Sequence, residues 1–195
     1  MEPWTLRQFC RIPLAVVAIS VVMSPGVPAA DDAWAALAKG GHVALIRHGN
    51  APPGYGGDPP GFKIDDCATQ RNLDERGRTQ ARAVGEAFRQ HGVPVDKILS
   101  SPWCRCLETA RLMALGPVES VLAVASSDQS PERLAVLRQM VTAWRGPGTL
   151  VLVTHALTVQ ALVGIMPEQA ETVVVRRKSS DQAGLDLVGR ITTPR

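Results

Sequence analysis

The stretch His42-Val43-Ala44-Leu45-Ile46-Arg47-His48-Gly49 decides how this chain is read. Its apolar run is too short for a helix and is bounded by Gly40-Gly41 and Gly49, so residues 42–46 read as a buried strand. A polar triplet, Arg47-His48-Gly49, stands where that strand ends. Upstream, Asp32 to Ala38 reads as a short helical lead-in. Downstream, Asn50 to Phe62 is dense in proline and glycine and reads as an extended surface loop.

Further along, secondary-structure signals alternate. Asp74 is a good N-cap for a helix to about His91, closed by Gly92 and followed by Pro94. Gly77, Ala81, Val84 and Phe88 share one face of it, a narrow stripe that permits close approach to a sheet. Val95 to Ser100 reads as a second buried strand, and Ser101-Pro102 as N-cap and first-turn proline of a helix from Trp103 to Leu115. A third strand is expected at about Val121 to Ala125, a helix from the Ser130-Pro131 cap to Trp144, and a strongly apolar strand at Leu150 to Val153. Thr158 to Gly164 then reads as a helix, with late strands at Thr172 to Val175 and Leu185 to Thr192.

This alternation points to an α/β sandwich with a largely parallel sheet, in which ligands gather beyond the carboxyl ends of the strands. Three polar strand exits are expected to converge on one sheet edge: Arg47-His48-Gly49, Ser100-Ser101 leading to Arg105, and Thr154-His155. Such a group describes an anion site. Two guanidiniums offer charge and planar pairs of donors to phosphoryl oxygens, and Arg105 lies near a helix N-terminus whose dipole favours the same charge. A neutral His48 ring nitrogen can attack phosphorus, Gly49 leaves the approach open, and a protonated His155 would donate to a phosphate oxygen.

Four ordered segments carry a resemblance. They are Leu45-Ile46-Arg47-His48-Gly49, then Asn72-Leu73-Asp74-Glu75-Arg76-Gly77-Arg78-Thr79-Gln80-Ala81, then Ser100-Ser101-Pro102-Trp103-Cys104-Arg105-Cys106-Leu107-Glu108-Thr109-Ala110, and finally Val153-Thr154-His155. In these the chain resembles the histidine phosphatase superfamily, across most of the residues that follow the N-terminal segment. The resemblance implies a three-layer α/β sandwich with a mostly parallel central sheet, phosphoglycerate mutase-like. It also implies a phosphohistidine on His48, a phosphate clamp from Arg47 and Arg105, completion of the pocket by His155, and no cofactor or metal. The family further requires an acid to protonate the leaving oxygen. One branch carries an aspartate directly after its second histidine, where this chain has Ala156. Another places a glutamate between the second arginine's helix and the last core strand, an interval that here holds Asp128 and Glu132. Asp128 is preferred because it precedes the helix cap, whereas Glu132 in a first helical turn is explained by dipole compensation; a solvated loop residue is the competing reading of Asp128. Some small members lack such a donor and favour good leaving groups such as phosphohistidine. Asn50, Thr69 and Arg71 stand at positions expected to touch substrate.

Composition and termini set bounds. With 195 residues, 45% hydrophobic and 20% charged, the chain has room for one catalytic domain. A net charge of +3, with basic residues scattered, makes nucleic acid a poor partner. Arg7 and Arg11, the apolar run Ile12 to Val22 and the small-residue exit Ser24-Pro25-Gly26-Val27-Pro28-Ala29-Ala30 have the order of a secretory signal peptide cleaved after Ala29 or Ala30. Residues 31–195 would then form the phosphatase domain, periplasmic or secreted, with no stable membrane span; an uncleaved anchor is the alternative. Cys67, Cys104 and Cys106 would then meet an oxidising compartment. Cys104 and Cys106, two apart on a helix, should not bond each other, so one of them is expected to pair with Cys67; three buried thiols are the alternative.

Competing chemistries fit less well. No His-Glu-x-x-His or paired Cys-x-x-Cys spacing exists for zinc, and Arg47 would repel a cation beside His48. A cysteine-nucleophile loop cannot form where Cys104 and Cys106 lie inside a helix. A phosphomutase is disfavoured by export and by a short chain with little room for a lid. The expected activity is hydrolysis of phosphate monoesters or phosphohistidine. The expected partner is a phosphorylated small molecule, an envelope glycolipid or a phosphoprotein, and a catalytically weak phosphate-binding envelope module is the rival reading. The leader assignment predicts that exported material has a mature N-terminus at Ala30 or Asp31, which intact mass measurement will show; retention of the full mass would contradict cleavage.

Overall fold

A computed structural model describes residues 1, 30–52, 57–125, 130–178 and 184–192. Among the described residues six strands form a single mixed sheet, and five α-helices cover it. In chain order the elements are α1 (Ala30–Ala38), β1 (Val43–Arg47), α2 (Glu75–Gln90), β2 (Val95–Ser100), α3 (Cys104–Leu112), β3 (Val118–Ser120), α4 (Pro131–Thr142), β4 (Thr149–Thr154), α5 (Ala156–Val163), β5 (Thr172–Arg177) and β6 (Leu185–Ile191). Among the described residues no helix is long and apolar enough to cross a membrane. The expected leader and its cleavage positions up to Ala29 lie outside the described residues.

The strand order is β3-β2-β4-β1-β5-β6. The first four strands run parallel, and β5 and β6 complete the sheet antiparallel. Successive side chains of a strand point to opposite faces, and the apolar runs of β1 and β4 supply both. Ala44, Ile46, Val151 and Val153 face a core built with Trp34 and Leu37 of α1, Val84 and Phe88 of α2, and Cys106 and Ala110 of α3. Val43, Leu45, Leu150 and Leu152 face a second core with Leu137 and Val141 of α4 and Val159 and Leu162 of α5. The result is a three-layer sandwich, as expected. Each fully buried aliphatic side chain contributes about 1.5–3 kcal/mol to holding the layers together.

Local caps set several boundaries. The Asp74 carboxylate accepts from Gly77 N at 2.8 Å and starts α2, and Ser130 Oγ accepts from Arg133 N at 3.3 Å and starts α4. Gly164 ends α5 at φ 75°, a left-handed conformation that glycine adopts without steric cost. Two expectations are corrected. The third strand is Val118–Ser120, and residues 122–124 form a 3-10 turn instead, because the parallel register with β2 ends at the Ser100–Ser120 pair. Trp103, not Ser101, holds the N-cap position of α3, and the Ser101 hydroxyl accepts from Trp103 N at 3.4 Å while lying 2.8 Å from His155 Nε2.

The small-residue face of α2 makes two backbone contacts that position the site. Gly77 lies against the Asn50 backbone, where a methyl group would come 2.1 Å from the Asn50 carbonyl oxygen. Gly85 lies against the end of α3, where a methyl would come 1.9 Å from the Met113 carbonyl oxygen. Alanine favours an isolated helix over glycine by about 1 kcal/mol. Gly85→Ala is nevertheless expected to destabilise the protein by about 1–3 kcal/mol, because α2 and α3 must separate. Urea unfolding measures this, and an unchanged midpoint would show that the two helices do not cross so closely.

Candidate active site

Because β2, β4 and β1 are adjacent and parallel, their carboxyl ends open on the same edge. The ladder continues past the last paired residues: His48 N donates to Thr154 O at 3.0 Å, and Ser101 N donates to Val153 O at 2.9 Å. His48, Ser101 and His155 are thereby gathered, and the two imidazole ring centroids lie 5.4 Å apart, edge to face.

His48 is only 4% exposed, and its Nδ1 lies 2.7 Å from Gly49 O. A carbonyl can only accept, so Nδ1 carries the proton and Nε2 keeps its lone pair. Burial is the main reason its pKa falls to about 3; the bond to Gly49 opposes that, and the charges of Arg105, Arg47 and Arg71 reinforce it. The ring is neutral and nucleophilic at any ordinary pH.

Three arginines surround it. Arg47 Nη1 donates to Pro167 O at 2.9 Å. Arg105, in the first turn of α3, is 5% exposed; Nη1 donates to Asp58 Oδ1 at 2.7 Å, while Nε is buried without a partner. Arg71 acts electrostatically on both His48 and His155. Thr109 couples α3 to the turn after His48, accepting from Gly49 N at 3.1 Å and donating to Arg105 O at 2.7 Å.

His155 stands at the N-cap of α5, 5% exposed, with Nε2 2.8 Å from Ser101 Oγ and 3.5 Å from Cys106 Sγ. Burial, then the proximity of His48 and the charges of Arg105, Arg71 and Arg47, push its pKa well below the ordinary value. That shift favours the neutral ring. Burial likewise pushes the Cys106 thiol up to about 12, so it stays protonated. A hydroxyl and a thiol face Nε2, and the thiol also donates to Thr154 O at 3.7 Å.

The other expected contacts divide. Arg71 joins the cluster. The Asn50 amide donates to Asp74 Oδ2 at 2.6 Å, and Asn50 N donates to Gln80 Oε1 at 2.9 Å, so this residue braces the start of α2. Thr69 bonds within its own turn, to Asp66 O at 2.8 Å and to Lys63 N at 2.8 Å. Asp128 lies outside the described residues, and Glu132 is exposed in the first turn of α4. Cys67 pairs with Cys104, and Cys106 is the free, buried thiol. Two site residues escaped the sequence reading: Ser101 as a partner of His155, and Asp58, an acidic residue inside the proline- and glycine-rich loop. Among the described residues no three His, Cys, Asp or Glu side chains gather as a metal site would need.

A family model, the histidine phosphatase superfamily (branch 1), matches residues 43–125. The chain is similar to the mitochondrial serine/threonine-protein phosphatase Pgam5 of Drosophila virilis, 32% identical over 72 residues, which cover 37% of this chain and 22% of that protein. The chain therefore spans about a fifth of the length of that relative. Among solved structures it is similar to the protein histidine phosphatase SixA complexed with tungstate, at TM-score 0.57 and 16% identity, over 77% of this chain and 96% of that one. It is also similar to phosphoserine phosphatase from Entamoeba histolytica in complex with 3-phosphoglyceric acid, at TM-score 0.58 and 16% identity, over 78% and 97%. The fold is that of the histidine phosphatases, phosphoglycerate mutase-like.

Both imidazoles are neutral when folded but would protonate near 6.5 in the unfolded chain. Their contribution to stability is complete above that pH and is lost on acidification, for His48 as pH falls toward about 3. In an imidazole-resolved NMR titration His48 should remain neutral from about pH 8 down to about pH 5, and His155 should titrate below the ordinary imidazole value, with the thermal midpoint declining below about pH 6.5. A His48 resonance titrating near 6.5 would contradict the site as described.

Proposed function

We propose that the protein is a histidine phosphatase, a member of the superfamily whose model it matches, and that it hydrolyses phosphate monoesters or phosphohistidine through a phosphohistidine on His48. One observation carries this reading: a buried neutral imidazole, with Nε2 bare and Nδ1 tied to Gly49 O, stands in the field of three guanidiniums. Nε2 attacks phosphorus as the ester P–O bond breaks. The departing oxygen keeps the bonding pair and takes a proton, for which Asp128 is the candidate donor. Water then attacks the phosphohistidine, giving a proton back to the donor as the P–N bond breaks with its electron pair returning to Nε2, and inorganic phosphate leaves. Arg47, Arg105 and Arg71 stabilise the equatorial oxygens, and His155 donates a ring N–H. The positive charge that a metal would supply comes from the arginines, so no step calls for one.

The Cys67–Cys104 disulfide supports an oxidising compartment, in keeping with the leader and a periplasmic or secreted location. Substrates there would be phosphorylated small molecules, envelope glycolipids or phosphoproteins. The test is turnover of an aryl phosphate together with capture of acid-labile phosphate on the protein. His48→Ala should lower kcat/KM at least about a thousandfold and abolish the captured phosphate. Wild-type rates in that variant would discard the nucleophile assignment, and phosphate binding without turnover by the wild type would leave a phosphate-binding module.

A further inference from the structure

The segment 57–72 lies along the start of α3 and is fastened there several times. Cys67 is bonded to Cys104, and Gln70 Oε1 accepts from Cys104 N at 3.0 Å. The Gln70 amide in turn donates to Lys63 O and Ile64 O, both at 2.9 Å. Asp58, whose side chain is 5% exposed, is held by the same framework. Its Oδ1 accepts from Arg71 N at 2.9 Å and from Arg105 Nη1 at 2.7 Å, and its Oδ2 accepts from Trp103 Nε1 at 2.8 Å.

A carboxylate inside a phosphate pocket has two physical readings. It could plug the pocket, occupying Arg105 until substrate displaces it, or it could stay and fix Arg105 for the substrate. The geometry favours the second. Asp58 is gripped by three donors from three residues, on a segment covalently tied to the helix that carries Arg105, so leaving would break all of those bonds together. Its contact with Arg105 engages Nη1, while Nε of the same guanidinium is buried without a partner. A buried N–H left unpaired is costly, so the ligand is the natural acceptor for it.

We propose that Asp58 is a positioning residue for phosphoryl transfer, which anchors Nη1 of Arg105 so that Nε is held ready for an oxygen of a bound phosphate monoester. The inference rests on the phosphatase reading above and gives Asp58 a part in it. With both imidazoles neutral, three guanidiniums against one carboxylate leave the pocket two positive charges, which match a monoester dianion better than the single charge of a diester.

The test compares the wild type with Asp58→Asn, measuring kcat for an aryl phosphate and inhibition by inorganic phosphate in the full chain. The substitution removes the anchor but also one negative charge. It should lower kcat roughly 10- to 100-fold through misalignment of Arg105, while phosphate inhibits as strongly as before or more strongly. A variant that was merely damaged would lose phosphate affinity along with kcat, and that result overturns the inference. So does an unchanged or raised kcat, the mark of a neutral residue or a plug. Should Asp58→Asn not fold, Asp58→Glu decides by the same two readouts: lowered kcat with undiminished phosphate inhibition supports the inference, and wild-type kcat overturns it. A wild type that neither turns over aryl phosphate nor binds phosphate removes the phosphatase reading and the inference together. A working wild type with an equally fast Asp58→Asn removes the inference alone.

Discussion

The parallel pairing of β1 with β4, in the register that sets Arg47 beside Thr154, governs the rest of this molecule. One further rung, His48 N to Thr154 O, carries that register past the end of the sheet and brings the two imidazoles together. Because β2 pairs with the other side of β4, its exit is held level with theirs, and Ser101 arrives within hydrogen-bonding distance of His155. A slip by one residue would turn every side chain of β1 to the opposite face. It would reverse the two cores and remove His48 from the edge, so the hydrophobic packing and the chemistry enforce the same register.

Around that edge, neutral and charged groups are sorted by burial. Two histidines pressed into the pocket lose their affinity for protons, chiefly to desolvation and secondarily to the arginines beside them. The guanidiniums retain charge at any relevant pH, and their field falls on rings that cannot answer with charge of their own. Asp58 is the counterweight. Burial alone would raise its pKa, yet the Arg71 backbone, Arg105 and Trp103 together hold it below the ordinary carboxylate value. A group so stabilised as an anion is poorly suited to giving up a proton, which separates its role from that of a leaving-group acid.

The cysteines show how the scaffold and the pocket are joined. Cys104 and Cys106 flank Arg105 on one turn of α3 and face different ways. One sulfur ties the helix start to the 57–72 segment, and the other lies against His155 in the interior. The sequence reading left open which of them met Cys67. The choice depends on which helix face looks toward that segment, a property of docking rather than of spacing.

Much of the site is legible in the chain alone because its signals are local. The apolar run before Arg47-His48-Gly49 and the caps at Asp74 and Ser130 each act within a few residues, and the alternation of elements aligns the strand exits. The roles of Ser101 and Asp58 were not legible. Ser101-Pro102 has the local form of a helix cap, and only folding brings His155, 54 residues away, to its hydroxyl. Asp58 sits among prolines and glycines that specify no regular structure, and its three donors come from up to 47 residues away. Sequence by itself determined which groups could bind and attack phosphate, since residue type and strand-end position follow from short-range patterning. Tertiary structure decided which hydroxyl and thiol meet His155, which sulfur closes the disulfide and which carboxylate holds Arg105, because each depends on neighbours that only folding brings into contact.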